Sequence, residues 1–237
     1  MIRASVLFTL FSLALHTTIA AEPEKPANMD IEMQHFYIVE GHTAPSKSVV
    51  FSGNFRIKTW RTVYSAFSPL IVLNRSFKGA TIADFTRTAG QYIIPDNPSI
   101  IVFYGGDTEI ASGSTPEEVS EDFKRFVAKV RTGLPSTSIV FMSLIPSPAH
   151  WELWGKMQKA NELVRKYIEG RKDLLYVDGA AAFLDKGGIV RSELFLDGRI
   201  DLNAEGFRRW AGILKPKLME LEKISTAQKI PVSSARR

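Results

Sequence analysis

The chain has 237 residues, 45% of them hydrophobic, and no cysteine. That length suits one domain with short appendages, whose core needs no disulfide, and the missing cysteines exclude thiol catalysis, Cys-ligated metal and a Cys-anchored lipoprotein. The formal charge of +5 sits at the ends, in Arg3 and in residues 215–237, so the body from Ala21 to Leu214 is neutral and lacks the basic face expected of a nucleic-acid binder.

In chain order, Arg3 and the apolar stretch Val6–Leu15 read as the n- and h-regions of an export signal. Thr18-Ile19-Ala20 and Ile19-Ala20-Ala21 are alternative cleavage sites, which makes residues 1–21 the signal and the protein periplasmic or secreted. An uncleaved anchor is the competing reading, but the apolar run is short against the ~20 residues of a membrane span, and no span is expected after cleavage. Residues 22–47 read as a leader that wraps the domain, with an extended piece at His35–Val39.

Five short apolar runs follow: Ser48–Ser52, Ile71–Leu73, Ile100–Tyr104, Ile139–Leu144 and Leu174–Val177. Unbroken runs rich in Val, Ile and aromatics suit strands buried on both faces. Between and after them lie helical patterns at Thr81–Gly90, Pro116–Arg131, Trp151–Glu169 and Asn203–Leu221. Thr115 before Pro-Glu-Glu is a helix start signal, and Asn203 is a candidate cap. Strand and helix alternate, which predicts a parallel sheet covered on both faces over residues 48–222. Residues 223–237 read as a flexible basic tail. Ligands of such sheets sit beyond the carboxyl ends of the strands, here Gly53–Arg56, Asn74–Ala80, Gly105–Ser112, Pro146–Trp151 and Gly198–Asn203.

Those five segments carry a resemblance. VVFSGNFRIKTW (Val49–Trp60) resembles a first block written G-S-S-S-I-R-x-W. VLNRSFKGATIADF (Val72–Phe85) resembles v-i-N-R-G-F-G-G-S-T-I-A-D. Tyr104-Gly105-Gly106-Asp107, SLIPSPAHWELW (Ser143–Trp154) and LFLDGRIDLNAEGF (Leu194–Phe207) resemble the remaining blocks. Together they are similar to the SGNH/GDSL hydrolase superfamily, in its bacterial exported esterase-like members. The likeness implies a three-layer α/β/α sandwich with a five-stranded parallel sheet in flavodoxin-like order.

The resemblance also implies a Ser nucleophile, a His base, an orienting Asp and oxyanion donors from the Ser N–H, a Gly N–H and an Asn side chain. Carried onto this sequence, the nucleophile falls on Phe55 and the oxyanion Gly on Gly79. The oxyanion Asn falls on Thr108, followed by Glu109; the Asp falls on Gly198 and the His on Asp201. Taking Asp197 as a shifted orienter restores no base, because no His follows His150. No catalytic residue is therefore intact. The expectation is a pseudoenzyme that binds or scaffolds through the relic pocket, with Asn54, Arg56, Ser76, Lys78, Asp107, Glu109, His150 and Trp151 as binding candidates. Its partner would be a small-molecule, acyl or saccharide ligand, or another protein, with no cofactor.

Three alternatives stay open. A rewired ester hydrolase would use Ser52, Ser76 or His150 on an acylated carbohydrate or lipid. Asp107, Glu109 and Asp201 would hold a divalent cation, against the simpler reading as surface carboxylates paired with Arg56, Lys78 or Arg199 and no metal. Phe55 either plugs the former site, packed among Phe77, Thr108 and Leu202, or lies on the floor of an open pocket; the plug is the expectation. Trp60 and Trp210 are expected in the core.

Overall fold

The computed structural model describes residues 45–228 apart from Ser46 and Arg199. The export signal at 1–21, the extended piece at His35–Val39, Arg199 and residues 229–237 of the tail lie outside them. Strands β1 (Val49–Gly53), β2 (Val72–Asn74), β3 (Ile100–Tyr104), β4 (Ser138–Met142) and β5 (Leu174–Val177) form one parallel sheet in the order β2-β1-β3-β4-β5. Val49 pairs with Val72 on one side and Ile100 on the other. The strands are β-branched and aromatic because both faces are covered, and β1 and β3 are buried at every position.

The helices are α1 (Phe55–Lys58), α2 (Val63–Ala66), α3 (Ile82–Tyr92), α4 (Asp107–Ala111), α5 (Pro116–Arg131), α6 (Trp154–Ile168) and α7 (Ala204–Gln228). The start of α5 is a capping box. Thr115 Oγ1 accepts from the Glu118 N–H, the Glu118 carboxylate accepts from the Thr115 N–H, and Pro116 fills a first-turn position that needs no donor. Thr81 and Asp84 do the same for α3. Asn203 Oδ1 accepts from the N–H groups of Glu205 and Gly206 and so opens α7.

Most boundaries shift by one or two residues from the sequence reading, and two shift further. Trp151 does not begin α6; a 3₁₀ segment, Pro148–Leu153, comes first, with His150 off helical geometry at φ −125°, ψ 32°. The last helix runs on to Gln228, so residues 223–228 continue it. The short helices α1, α2 and α4 carry no sequence periodicity and were not anticipated.

The aromatic residues sort by sheet face. Phe51 of β1 packs on Trp60 and Phe67, and Trp60 stacks on Phe207 of α7. Tyr104 of β3 meets Trp210 on that face. On the other face Phe103 packs on Phe85 of α3 and Phe126 of α5. Trp60 and Trp210 are buried core residues. Burying each such ring contributes roughly 1.5–3 kcal/mol, so the sheet is clamped from both sides and its carboxyl edge is a rigid platform. The strand order reverses between β1 and β3, and the crevice at their carboxyl ends is the switch point where this topology holds ligands. Among the described residues no helix is long and apolar enough to cross a membrane.

Candidate functional site

At the switch point β1 and β3 approach so closely that a Cβ on Gly53 would lie 2.5 Å from the Tyr104 carbonyl oxygen. Glycine is therefore required where β1 turns into α1. Asn54 caps that turn, its Oδ1 accepting from the Arg56 N–H at 3.3 Å. Across the crevice, Gly106 at φ 120° bends the chain out of β3 and sets Asp107 and Thr108 at the start of α4.

These turns bring a buried polar cluster together. Arg56 is 1% exposed. Its Nε donates to the Tyr104 hydroxyl at 3.0 Å and to Asp107 Oδ2 at 3.4 Å, and its Nη1 donates to the Ile200 carbonyl. Tyr104 donates to Asp107 Oδ2 at 3.0 Å, while Asn54 Nδ2 and the Thr108 N–H donate to Asp107 Oδ1. Burial works against the Arg56 charge, but Tyr104 and Asp107 outweigh it and its pKa is raised. Burial also pushes the Tyr104 phenol well above its ordinary value. The cluster ties three loops into one rim: the β1–α1 turn, the β3–α4 turn and the segment around Ile200.

Beside this cluster opens a cavity of about 450 Å³. Four of the five positions matched to hydrolase machinery line it: Phe55, Gly79, Thr108 and Asp201. So do the binding candidates Asn54, Arg56, Lys78, Asp107 and His150, with Ala149 and Ile200 in addition. Gly198 lies in a short 3₁₀ turn. Ser76 is not among the lining residues and is fully buried, with its hydroxyl donating to the Phe51 carbonyl at 3.3 Å. Ser52 is buried likewise, and its hydroxyl has no hydrogen-bond partner among the described residues. Trp151 is half-buried in the 3₁₀ segment, away from the lining.

Glu109 points away from the cavity. Its Oε1 accepts from the Ile82 N–H at 2.6 Å at the start of α3, and its Oε2 is buried without a partner. Burial raises its pKa to about 7, with the Ile82 N–H opposing and the charges of Asp107 and Asp122 adding to the rise. Asp107, Glu109 and Asp201 thus do not converge. Among the described residues no group of three or more His, Asp or Glu could hold a metal ion.

The expected plug is not what the structure holds. Phe55 is half-buried on the cavity wall, with Lys78 Nζ 5.2 Å from its ring centroid. Phe77 turns into the core instead, against Phe85 and Tyr92. Phe55 opens a helical turn at the surface, so its ring has no interior to enter.

Thr108 replaces the amide of the family pattern, yet its hydroxyl accepts from Asn54 Nδ2 at 3.1 Å and keeps its own hydrogen to donate. The N–H groups of Phe55 and Gly79 make no hydrogen bond among the described residues. The three residues that the resemblance matches to oxyanion donors thus all line the cavity, each with a donor that no described residue engages. The Arg56–Asp107 ion pair meets the simpler reading of those carboxylates; the Tyr104 hydroxyl that joins it was not foreseen, and Arg56 standing fourth in a Gly-Asn-Phe-Arg turn, where the block has a small Ser, was the one further sequence signal.

No protein-family model matches the chain. It is 27% identical over 164 residues to platelet-activating factor acetylhydrolase IB subunit alpha1 of Pongo abelii, spanning 66% of this chain and 69% of that protein. Among solved structures it resembles a GDSL-like lipase from Bacteroides thetaiotaomicron, with TM-score 0.69, 17% identity, and 81% of this chain and 98% of that one covered. A candidate acylhydrolase from Bacteroides fragilis gives TM-score 0.70 at 17% identity over 84% and 100%. A catalytic mutant of an acetylxylan esterase from Geobacillus stearothermophilus gives 0.62 at 14% over 75% and 96%. At these identities the likeness is one of fold.

Proposed function

The chain has the SGNH/GDSL hydrolase fold, and we propose that it uses the cavity of that fold to bind a ligand without hydrolysing it. One observation carries the reading. At the wall where an attacking hydroxyl belongs, the cavity presents the Phe55 ring, and where the base belongs it presents Asp201. A ring has no nucleophilic atom, and a carboxylate is a poor base for a hydroxyl whose own pKa is far higher. With nucleophile and base both gone, only the modest acceleration of donors and binding is left. Neither Ser52 nor Ser76 supplies a substitute, since both are buried away from the cavity.

The purified chain is expected to leave short-chain aryl esters at the background rate. Triad members act as a unit, so Phe55→Ser alone restores nothing measurable. Turnover is expected only when Phe55→Ser, Gly198→Asp and Asp201→His are combined, with Thr108→Asn as an aid. Robust hydrolysis by the unmodified chain would overturn the proposal. A second reading, ester hydrolysis through water activated by His150, draws support from His150 and Asp201 lining the same cavity. Its sign would be turnover in the unmodified chain that His150→Ala abolishes.

We also propose that the protein acts after export. Arg3, the apolar stretch Val6–Leu15 and the small residues at 20–21 support this. Mass spectrometry of the native protein is expected to find an N-terminus near Ala21 or Glu22; intact Met1 on membrane-embedded protein would support an anchor instead.

A further inference from the structure

Residues lining the cavity carry hydrogen-bond donors for which no described residue supplies an acceptor. Among the described residues the N–H groups of Phe55 and Gly79 are unpaired, and both residues line the cavity. Chemistry fixes the sense of Thr108. Asn54 Nδ2 donates to its hydroxyl oxygen, and Asn54 Oδ1 is identified as the acceptor by the Arg56 N–H, so the Thr108 hydrogen is left for the cavity. Lys78 adds a positive charge. It stands where the hydrolase block has a glycine, and among the described residues it pairs with no carboxylate, its contact being the face of Phe55. Asp107 does not cancel it, because Arg56, Tyr104 and Asn54 already hold both of its oxygens. The rest of the lining joins an apolar stretch, the Phe55 ring, Ala149 and Ile200, to the polar His150 and Asp201.

Resting on the reading of the cavity as a non-catalytic binding site, we infer that its ligand is a monocarboxylic acid with a short apolar body. The carboxylate accepts from the three donors and is neutralised by Lys78, and charge-assisted hydrogen bonds of this kind are about twice as strong as neutral ones. The body lies along Phe55, Ala149 and Ile200. An ester or an alcohol of the same length takes the apolar wall and a donor but gains nothing from the Lys78 charge. A dianion meets Asp201, which lines the cavity and has no cationic partner among the described residues. A volume near 450 Å³ falls within the range of small-molecule sites.

The test is calorimetric titration of the purified chain with four probes: hexanoate, hexan-1-ol, methyl hexanoate and adipate. Hexanoate is expected to bind about tenfold or more tightly than each of the others. Lys78→Met, at an exposed position, and the near-isosteric Thr108→Val should each weaken hexanoate about tenfold and hexan-1-ol by a much smaller factor. Circular dichroism confirms that both variants fold, and Lys78→Met stands alone if Thr108→Val does not. Equal binding of hexanoate and hexan-1-ol, insensitivity to Lys78→Met, or no binding of any probe overturns the acid. Binding of the alcohol or ester without preference for the acid leaves the cavity a binding site. Release of methanol from methyl hexanoate overturns the non-catalytic reading instead.

Discussion

The cavity rim has two sides that differ in what they can offer a ligand. On one side stand Phe55, Gly79 and Thr108, which bring two backbone N–H groups and a hydroxyl to the cavity lining. On the other, the positions that the resemblance matches to proton-moving groups hold a phenyl ring, a glycine and an aspartate at Phe55, Gly198 and Asp201. A backbone N–H belongs to the path of the chain and survives any substitution except proline. A nucleophile or base is a single side chain, and one substitution removes it. Electrostatic recognition of a negative oxygen therefore tolerates side-chain substitution that proton transfer on such a fold does not.

If the donor side persists because its loops are held, the largest effect should come from releasing them. Arg56 joins the β1–α1 turn to Tyr104, Asp107 and the Ile200 carbonyl. Arg56→Ala leaves Asp107 buried without its cation, which costs roughly 3–5 kcal/mol. Denaturant unfolding measures this directly. A cost below about 1 kcal/mol would show that the loops hold themselves and that the buried pair is incidental to the donor side.

The next effect lies just behind the donors, at Glu109. Its folded pKa of about 7 lies above the ordinary value of 4.5. The protonated form is thus favoured on folding. Its contribution is complete below about pH 4.5 and is lost as pH rises through about 7. At pH 8 the folded chain carries a buried carboxylate close to Asp107 and Asp122, a penalty on the order of 2–3 kcal/mol. Glu109→Gln removes the charge, so it should stabilise the protein by about 2 kcal/mol at pH 8 and change little at pH 4.5. Stability curves at the two pH values test this, and an equal effect at both would mean that Glu109 is not titrating in that window.

How much of this was legible beforehand depends on the range of the interaction. The strands were legible because their apolar runs are unbroken, and α5 because Thr115-Pro116-Glu117-Glu118 is a local capping signal. The blocks placed Phe55, Gly79, Thr108 and Asp201 on one rim, and those four line one cavity. What was hidden is tertiary. The Arg56–Asp107 pair was among the expected pairings, but its closure through the Tyr104 hydroxyl joins two strands far apart in sequence. The donor sense of Thr108 depends on an amide 54 residues earlier. The start of α6 was misplaced because a 3₁₀ segment with His150 off helical geometry continues the same apolar pattern. The direction of the Phe55 ring depends on α1, a helix of four residues, too short to show a period.

That ring supplies the smallest and sharpest test of the contrast between the two sides. A phenylalanine sealed among core side chains costs roughly 3–5 kcal/mol when truncated to alanine, because transfer and cavity terms add. Phe55 has no such surroundings: it is half-buried, faces the cavity and carries a lysine over its ring. Truncation removes part of an apolar wall and leaves no enclosed void, so Phe55→Ala should destabilise the chain by only about 1 kcal/mol. The backbone N–H at position 55 survives the change, and so does the donor side. A loss of 3 kcal/mol or more would mean that the ring seals the former site after all. The donors behind it would then be shielded from any ligand, and the two sides of the rim would be one closed surface.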